Sequence, residues 1–254
     1  MGRRQVKLSK PGEHGGLVTL TGNTVLALVV TPEPLAALAA GVVYLVAYLA
    51  RGPIERKARH FRLHSWDLPA LGLYAACAAL AGLHIASSNP TAALVVMASA
   101  LLIPAVGALV TTARIHRWFA VELAAMGSIG GTAGMAMYAG GATIPMSALI
   151  GLAMASYAAA AVPTVRAEVR DLAPTARARQ SWLGVFVLGL GAALTAVFLP
   201  AVSLAFAPRI AHGAWRAIRG IGKHRITCIA ARETAEVALF MALLVTVITT
   251  GPWP

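Results

Sequence analysis

Charged residues are scarce in this protein of 254 residues, at 12% of the total, and only nine of them are acidic. Aromatic residues are also few, at 6%, whereas apolar residues reach 58%. A composition so poor in charge excludes an ordinary soluble globular protein and predicts a chain that is solvated by the bilayer. The two cysteines, Cys77 and Cys228, show no spacing typical of a disulfide framework or a zinc site, which fits a reduced cytosolic face.

The basic residues form five short clusters, and pairs of long apolar runs separate one cluster from the next. The clusters are Arg3, Arg4, Lys7 and Lys10; Arg51, Arg56, Lys57, Arg59 and Arg62; Arg114 and Arg117; Arg166, Arg170, Arg177 and Arg179; and Arg209, Arg216, Arg219, Lys223, Arg225 and Arg232. The intervening turns at 31–34, 87–90, 139–143 and 198–201 contain no basic residue. Basic residues in every second loop are typical of a polytopic membrane protein whose basic loops are cytosolic. Topology and anionic lipids therefore explain the positive charge, and nucleic acid is not an expected partner.

Nine apolar runs approach the roughly 20 residues that a membrane-spanning helix needs. They lie at 14–31, 33–50, 67–87, 91–112, 118–139, 143–165, 181–199, 200–216 and 230–250. We predict an all-α, polytopic membrane helix bundle of about nine transmembrane helices, in one domain spanning 1–254. Residues 1–13 and the loops 51–66 and 166–180 are predicted to be cytosolic, and the C-terminus to lie outside. The eighth run is the weakest because it is short and contains Arg209, which then needs an internal partner.

The N-terminal segment allows two interpretations. The twin arginines Arg3 and Arg4 are compatible with a twin-arginine export signal, but no small-residue cleavage site follows a short apolar stretch. An uncleaved first helix with basic flanks is the favoured interpretation.

Eight of the nine acidic residues fall on the predicted cytosolic half, and Glu33 is the exception. Residues 237–250 are too few to span a bilayer, so the last helix must include Glu236 and bring Glu233 below the headgroups. Arg232 and Glu236 are then spaced i,i+4 and can pair along one helix face. Ionisable residues at such depth mark a functional site or an internal ion pair. Both interpretations stay open: a structural salt-bridge network, or a cytosol-facing pocket formed by Glu13, His14, Glu122, Glu233, Glu236 and Arg209.

Two further motifs carry candidate roles. In VRAEVRDLAP, Glu168 and Asp171 lie one helical turn apart, which suits a divalent cation, although a solvated helix end is the favoured explanation of the pair. The run GSIGGTAG, at 127–134, lies mid-membrane, where small residues at i,i+4 favour close helix packing over phosphate binding. Asn23 and its neighbouring threonines give the first helix a polar stripe suited to interhelical hydrogen bonds.

Several of these segments resemble the YwiC-like family of bacterial integral membrane proteins. The resembling elements are PGEHGG at 11–16, Glu122 with its glycine-rich helix, VRAEVRDLAP, LAFAP at 204–208 and RETAE with Glu233. Helix number and the placement of polar residues are in turn similar, distantly, to the UbiA prenyltransferase superfamily. That second resemblance implies a nine-helix bundle that binds a prenyl diphosphate through Mg²⁺ and two Asp-rich motifs. The loop after the second helix departs from this pattern, because Glu55 stands there among basic residues.

The resemblance implies a membrane transferase acting on a prenyl or lipid phosphate drawn from the membrane lipids. Its acid–base residues would be Glu13, His14, Glu122 and Glu233, and Glu168 and Asp171 would bind Mg²⁺. The phosphate would be bound by Arg51, Arg56, Arg166, Arg170, Arg209 and Arg232, with Glu236 beside them. Two alternatives are a transporter with a charge relay and a non-catalytic subunit of a membrane complex. Broken helices near the midplane would favour transport, and a lateral opening would favour the transferase.

Overall fold

The computed structural model describes residues 11–60, 63, 65–113, 119–169, 172–219 and 226–250, apart from the side chains of 11–15, 59–60, 169 and 226–227. Within these residues the protein is entirely helical, with ten helices. They are α1 (Pro11–Val30), α2 (Pro34–His60), α3 (Asp67–Ser88), α4 (Pro90–Thr112), α5 (Phe119–Ala139), α6 (Ile144–Val169), α7 (Pro174–Phe198), α8 (Pro200–Leu204), α9 (Ala207–Arg219) and α10 (Ile226–Thr250).

Consecutive long helices run antiparallel, as in the predicted hairpins. For example, the start of α5 lies near the end of α6, where Glu122 binds Arg166, whereas Gly134 of α5 contacts Ser147 and Gly151 near the start of α6. The short connections at 31–33, at Asn89 and at 140–143 gather the ends of successive helices on one side. We call the other side, at which α2, α4, α6 and α9 finish, the basic end of the bundle.

In the described part of the chain, six helices are long and apolar enough to cross a membrane: α2, α3, α4, α6, α7 and α10. The protein is therefore a multi-pass membrane protein. The first, fifth and eighth predicted spans fall outside this set. Among the described side chains of α1, those of Gly16–Val30 form an apolar run that is too short for this set, and α5 contains four glycines together with Glu122, which lower its hydropathy.

The glycine-rich helix α5 lies directly against the backbone of α6. A Cβ atom on Gly130 would lie 2.3 Å from the carbonyl oxygen of Met154, and one on Gly134 would lie 2.3 Å from that of Ser147. This confirms the prediction that the glycine run serves packing. On α1, Asn23 Nδ2 donates hydrogen bonds to the carbonyl oxygens of Ile129 and Gly130 on α5, at 2.9 and 3.1 Å.

Helix α2 is longer than predicted, because it continues through residues 51–60, which the sequence placed in a loop. An i,i+4 pair supports the extension, with Arg51 Nε 2.5 Å from Glu55 Oε1. A second pair joins Arg56 to Asp67 at the start of α3, with Nη2 and Oδ1 2.5 Å apart. The loop predicted at 166–180 is also shorter, since α6 ends at Val169 and α7 begins at Pro174.

The eighth predicted span, 200–216, is divided into two helices at Ala205 and Phe206. Pro208 explains the division, because a continuous helix would bring its ring against the carbonyl group of Leu204, the last residue of α8. α9 then runs antiparallel to α7. A Cβ atom on Gly191 of α7 would lie 3.3 Å from Phe206, and one on Gly213 of α9 would lie 3.0 Å from Val185.

Candidate functional site

Seven ionisable side chains from α6, α9 and α10 form one continuous series of contacts between opposite charges. We call this series the ion-pair network. Its members are Glu168 on α6; Arg209, His212 and Arg216 on α9; and Arg232, Glu233 and Glu236 on α10. The network lies between the middle of the bundle and its basic end.

Glu168 is the centre of the half nearest the basic end. Arg232 binds it with both terminal nitrogens, Nη1 to Oε2 at 3.0 Å and Nη2 to Oε1 at 2.6 Å. Arg216 approaches the same carboxylate, with Nη2 2.5 Å from Oε1. The side chain of Glu168 is fully buried, at 0% exposed, and a bidentate arginine contact is among the strongest that a buried carboxylate can make.

Arg209 is the centre of the other half. Its Nη2 donates to Glu233 Oε2 at 2.6 Å, and its Nη1 contacts Glu236. Arg232 connects the halves, because its Nη2 also lies 3.0 Å from Glu233 Oε1. His212 completes the series, with Nδ1 2.7 Å from Glu236 Oε1.

The network reaches deep into the bundle. The guanidinium carbon of Arg209 lies 5.4 Å from the centre of the Tyr157 ring, and Tyr157 is near the midpoint of α6. At 1.5 Å per residue, about 18 Å of helix separates that tyrosine from the end of α6 at Val169. Tyr157 stacks in turn on Phe240, with ring centres 4.2 Å apart. An aromatic layer therefore closes the network on the side away from the basic end.

Helical spacing explains why these side chains meet. Arg209, His212 and Arg216 follow one another at intervals of three and four residues and so share one face of α9. Glu233 and Glu236 share a face of α10 in the same way. The facing surfaces of α9 and α10 are thus charged, and Glu168 of α6 lies against their ends nearest the basic end.

The network is balanced in charge. Its three guanidinium groups carry three positive charges and its three carboxylates carry three negative charges, so a neutral His212 leaves a sum of zero. Because an isolated ion at this depth is costly, such balance is what a low-dielectric site requires. The hydrogen bond to the Glu236 carboxylate, which only accepts, places the imidazole proton on Nδ1.

A cavity of about 220 Å³ lies beside the network, between α9 and α10. Its polar side is formed by Arg209, His212 and Glu236. The remaining lining is apolar and comes from Ala205, Pro208, Leu239 and Phe240. Pro208 and Leu239 are also exposed on the outside of the bundle. The cavity therefore joins a charged wall to side chains that face the surroundings of the helices.

The other predicted site residues lie elsewhere. Glu122 of α5 pairs with Arg166 of α6, with Oε2 2.6 Å from Nε. Arg51 and Arg56 form the pairs of α2 described above, so carboxylates contact all three guanidinium groups. The side chains of Glu13 and His14, together with Arg170 and Asp171, lie outside the described residues.

The predicted magnesium pair does not fit the surroundings of Glu168. Both of its carboxylate oxygens are engaged by arginine, and positively charged neighbours disfavour a cation at the same atoms. In the part of the chain that the structure describes, no three His, Cys, Asp or Glu side chains form a group able to hold a metal ion. The assignment of Glu168 and Asp171 stays a prediction, because Asp171 is not described.

Sequence reasoning missed two members of the network, His212 and Arg216. The signal was present in their spacing from Arg209, which puts all three on one face of α9. Arg216 was counted only as a topology-setting residue of the last basic cluster. Its near-complete burial, at 7% side-chain exposure, depends on the distant Glu168.

The family model described as YwiC-like protein matches residues 11–138 of the chain, about half of its length. The matched segment covers α1 to α5 apart from Ala139, whereas the ion-pair network lies on α6, α9 and α10. No curated protein and no solved structure matches the chain at significance.

Proposed function

This protein belongs to the YwiC-like protein family, and from that premise we propose a function for its cavity between α9 and α10. The cavity binds the polar head of a lipid-like molecule taken from the bilayer. The single observation behind this proposal is that the cavity has a charged wall and an apolar remainder. An amphiphile would place its head against Arg209, His212 and Glu236 and its chain along Leu239 and Phe240. Sites of this kind, mostly apolar with a few convergent polar groups, are typical of small-molecule binding.

The outer boundary of the cavity supports lateral access. Leu239 is 49% exposed and the neighbouring Leu204 is 68% exposed, in a bundle whose apolar surface would face lipid. A molecule already in the membrane would then reach the cavity between α9 and α10 without crossing the aqueous phase. Lateral access is also the feature that favours a lipid-directed enzyme over a solute channel.

The proposal is limited to binding. A UbiA-like transfer of a prenyl or lipid phosphate would need a cation at the diphosphate, and Glu168 is held by two arginines instead. The arginines expected to bind phosphate are likewise paired with carboxylates where they are described. We therefore derive no transfer step from these residues.

The proposed membrane orientation has the basic end in the cytosol, because basic loops are retained on that side. In a background with Cys77 and Cys228 changed to serine, the test compares Ser65→Cys at the basic end with Ser87→Cys at the opposite end. A membrane-impermeant maleimide added to intact cells should label only the Ser87→Cys variant. Labelling of Ser65→Cys alone would reverse the orientation.

The binding proposal is tested by mass spectrometry of lipids that co-purify with the protein. The variant Leu239→Trp should fill the cavity and deplete the bound amphiphile. The matched control Leu80→Trp, at an exposed leucine of α3, should leave the amount unchanged. An equal lipid profile for the wild type and both variants would overturn the proposal.

Transport is a second candidate, favoured by the division between α8 and α9. Discontinuous helices beside buried charges are a recurring feature of secondary transporters. Here the break at Ala205 and Phe206 lies within a few residues of Arg209. A solute or proton flux into liposomes that Glu236→Gln abolishes and Glu33→Gln retains would favour transport over binding alone.

A further inference from the structure

We infer that the cavity between α9 and α10 selects an amphiphile with an uncharged hydroxyl head over its phosphorylated counterpart. This inference rests on the proposed function, and it names the class of ligand that the polar wall fits. Its basis is the charge balance of the ion-pair network together with the hydrogen-bonding state of His212.

The first argument is electrostatic. Arg209, the guanidinium group that lines the cavity, already contacts two carboxylates, those of Glu233 and Glu236. A phosphate entering the cavity would add negative charge beside Glu236, and the described lining residues offer no unpaired positive charge to balance it. A neutral head leaves the sum of charges at zero, and a charge is costly to bury unless it is paired.

The second argument concerns hydrogen bonds. His212 uses Nδ1 to contact Glu236 at 2.7 Å, so the neutral ring offers Nε2 only as an acceptor. The carboxylate of Glu236 is also an acceptor. Arg209, the donor of this wall, already directs both terminal nitrogens to the carboxylates of Glu233 and Glu236. A ligand that complements His212 and Glu236 therefore donates a hydrogen bond, as an alcohol or phenol does. A phosphate ester at mildly alkaline pH is almost entirely an acceptor, since its second pKa is about 6.

The groups that surround His212 on the neighbouring helices favour the neutral form of its ring. Burial disfavours the charged form of the ring. Arg216 and Arg209 on its own helix, and Arg232 on α10, add positive charge around it, which Glu233 and Glu236 oppose. The residues of α6 and α7 that border the same region are Thr164, Gly184, Val185 and Leu188, and none of them titrates. The acceptor at Nε2 is therefore a property of the ion-pair network as a whole.

Size is consistent with a head group and the beginning of a chain. The cavity has a volume of about 220 Å³, which is smaller than the pockets that enclose a whole drug-sized ligand. The rest of the ligand would therefore extend past Leu239 into the bilayer. A simple long-chain alcohol has that shape. Its hydroxyl group would donate to Nε2 of His212, with Phe240 beside the first methylene groups.

The experiment compares two photoreactive probes, dodecanol and dodecyl phosphate, each carrying a diazirine on the alkyl chain. Purified full-length protein in nanodiscs is irradiated at mildly alkaline pH, above the ordinary titration range of imidazole. Peptide mass spectrometry then counts the labels on 204–212 and 236–243. We expect the alcohol to label both segments, and the phosphate to label them roughly tenfold less.

Variants test whether His212 is responsible. His212→Phe removes the acceptor and should reduce labelling by the alcohol roughly two- to tenfold, the effect of one hydrogen bond. His212→Gln retains an acceptor and should keep most of it. His84→Phe, at an exposed histidine of α3, is the matched control and should behave as wild type.

The outcomes separate the two proposals. If neither probe labels these segments above the level on α3, the binding function itself fails, and the inference fails with it. If both label and the phosphate is preferred, the function stands and the selection for a neutral head is wrong. Equal loss of alcohol labelling in His212→Phe and His212→Gln would also contradict the role given to Nε2.

Discussion

Glu168 offers the sharpest test of the ion-pair network, because its fully buried carboxylate contacts both Arg216 and Arg232. The change Glu168→Gln keeps the size of the side chain but leaves three guanidinium groups facing two carboxylates. Breaking a buried ion pair by removing one partner costs about 3–5 kcal/mol. We therefore expect Glu168→Gln to lower the free energy of unfolding by an amount in that range.

The double variant Glu168→Gln/Arg216→Gln restores the balance, with two positive and two negative charges. Each single variant should be less stable than the double variant, and the double-mutant cycle should show a coupling of more than about 1 kcal/mol. Stability is measured by SDS-induced unfolding of the purified protein in mixed micelles, followed by circular dichroism. Glu33→Gln, at the exposed acid of the opposite end, is the matched control and should leave the unfolding curve unchanged.

The reasoning is refuted if the double variant is no more stable than Glu168→Gln alone. In that case the loss would come from packing around residue 168 and not from unbalanced charge. A stable Glu168→Gln single variant would refute it more directly, since it would show that a net positive charge at this depth costs little.

Three further predictions concern helix contacts. Gly134→Ala should destabilise the protein by about 1–3 kcal/mol, because its Cβ atom would meet the Ser147 carbonyl oxygen. Gly131→Ala is the control and should fold normally, because the nearest atom to its Cβ would lie 4.0 Å away. Thermal melting monitored by size-exclusion chromatography distinguishes the two variants. Asn23→Ala should cost about 1–2 kcal/mol in the same assay, since it removes the hydrogen bonds between α1 and α5. Arg56→Gln should cost at most about 1 kcal/mol, because this arginine is 44% exposed and exposed ion pairs contribute little. A larger loss for Arg56→Gln than for Asn23→Ala would contradict the ranking by burial.

Much of the bundle could be predicted from the sequence, because hydropathy and charge depend on the local chain alone. The bounds of α3 and α4 differ from their predicted spans by one residue at most, since both are uninterrupted apolar runs with a short turn between them. The division between α8 and α9 was not predicted, although Pro208 indicated it. Hydropathy reports the length of an apolar run, whereas the division depends on the effect of Pro208 on the helix backbone.

The site was harder to predict, because its contacts join residues that are distant in sequence. The i,i+4 spacing suggested a pair between Arg232 and Glu236, and the structure gives it only a 3.5 Å approach. The closer partner of Arg232 is Glu168, which lies 64 positions earlier in the chain. Helical spacing predicts which side chains share a face, but it does not say which helix that face will meet.

The arrangement of α9 and α10 also has a consequence for how the protein enters the membrane during synthesis. Arg209 and His212 are made before their carboxylate partners on α10, whereas Glu168, the partner of Arg216, lies on the earlier helix α6. Before α10 is made, α9 would therefore expose one uncompensated arginine, Arg209, to the hydrocarbon. Each central arginine costs about 2.5–3.5 kcal/mol on the scale of translocon-mediated insertion. We therefore expect α9 to wait at the membrane surface or inside the translocon until α10 has emerged. The two helices would then insert as a unit, and the last step of biogenesis would be the assembly of the ion-pair network itself.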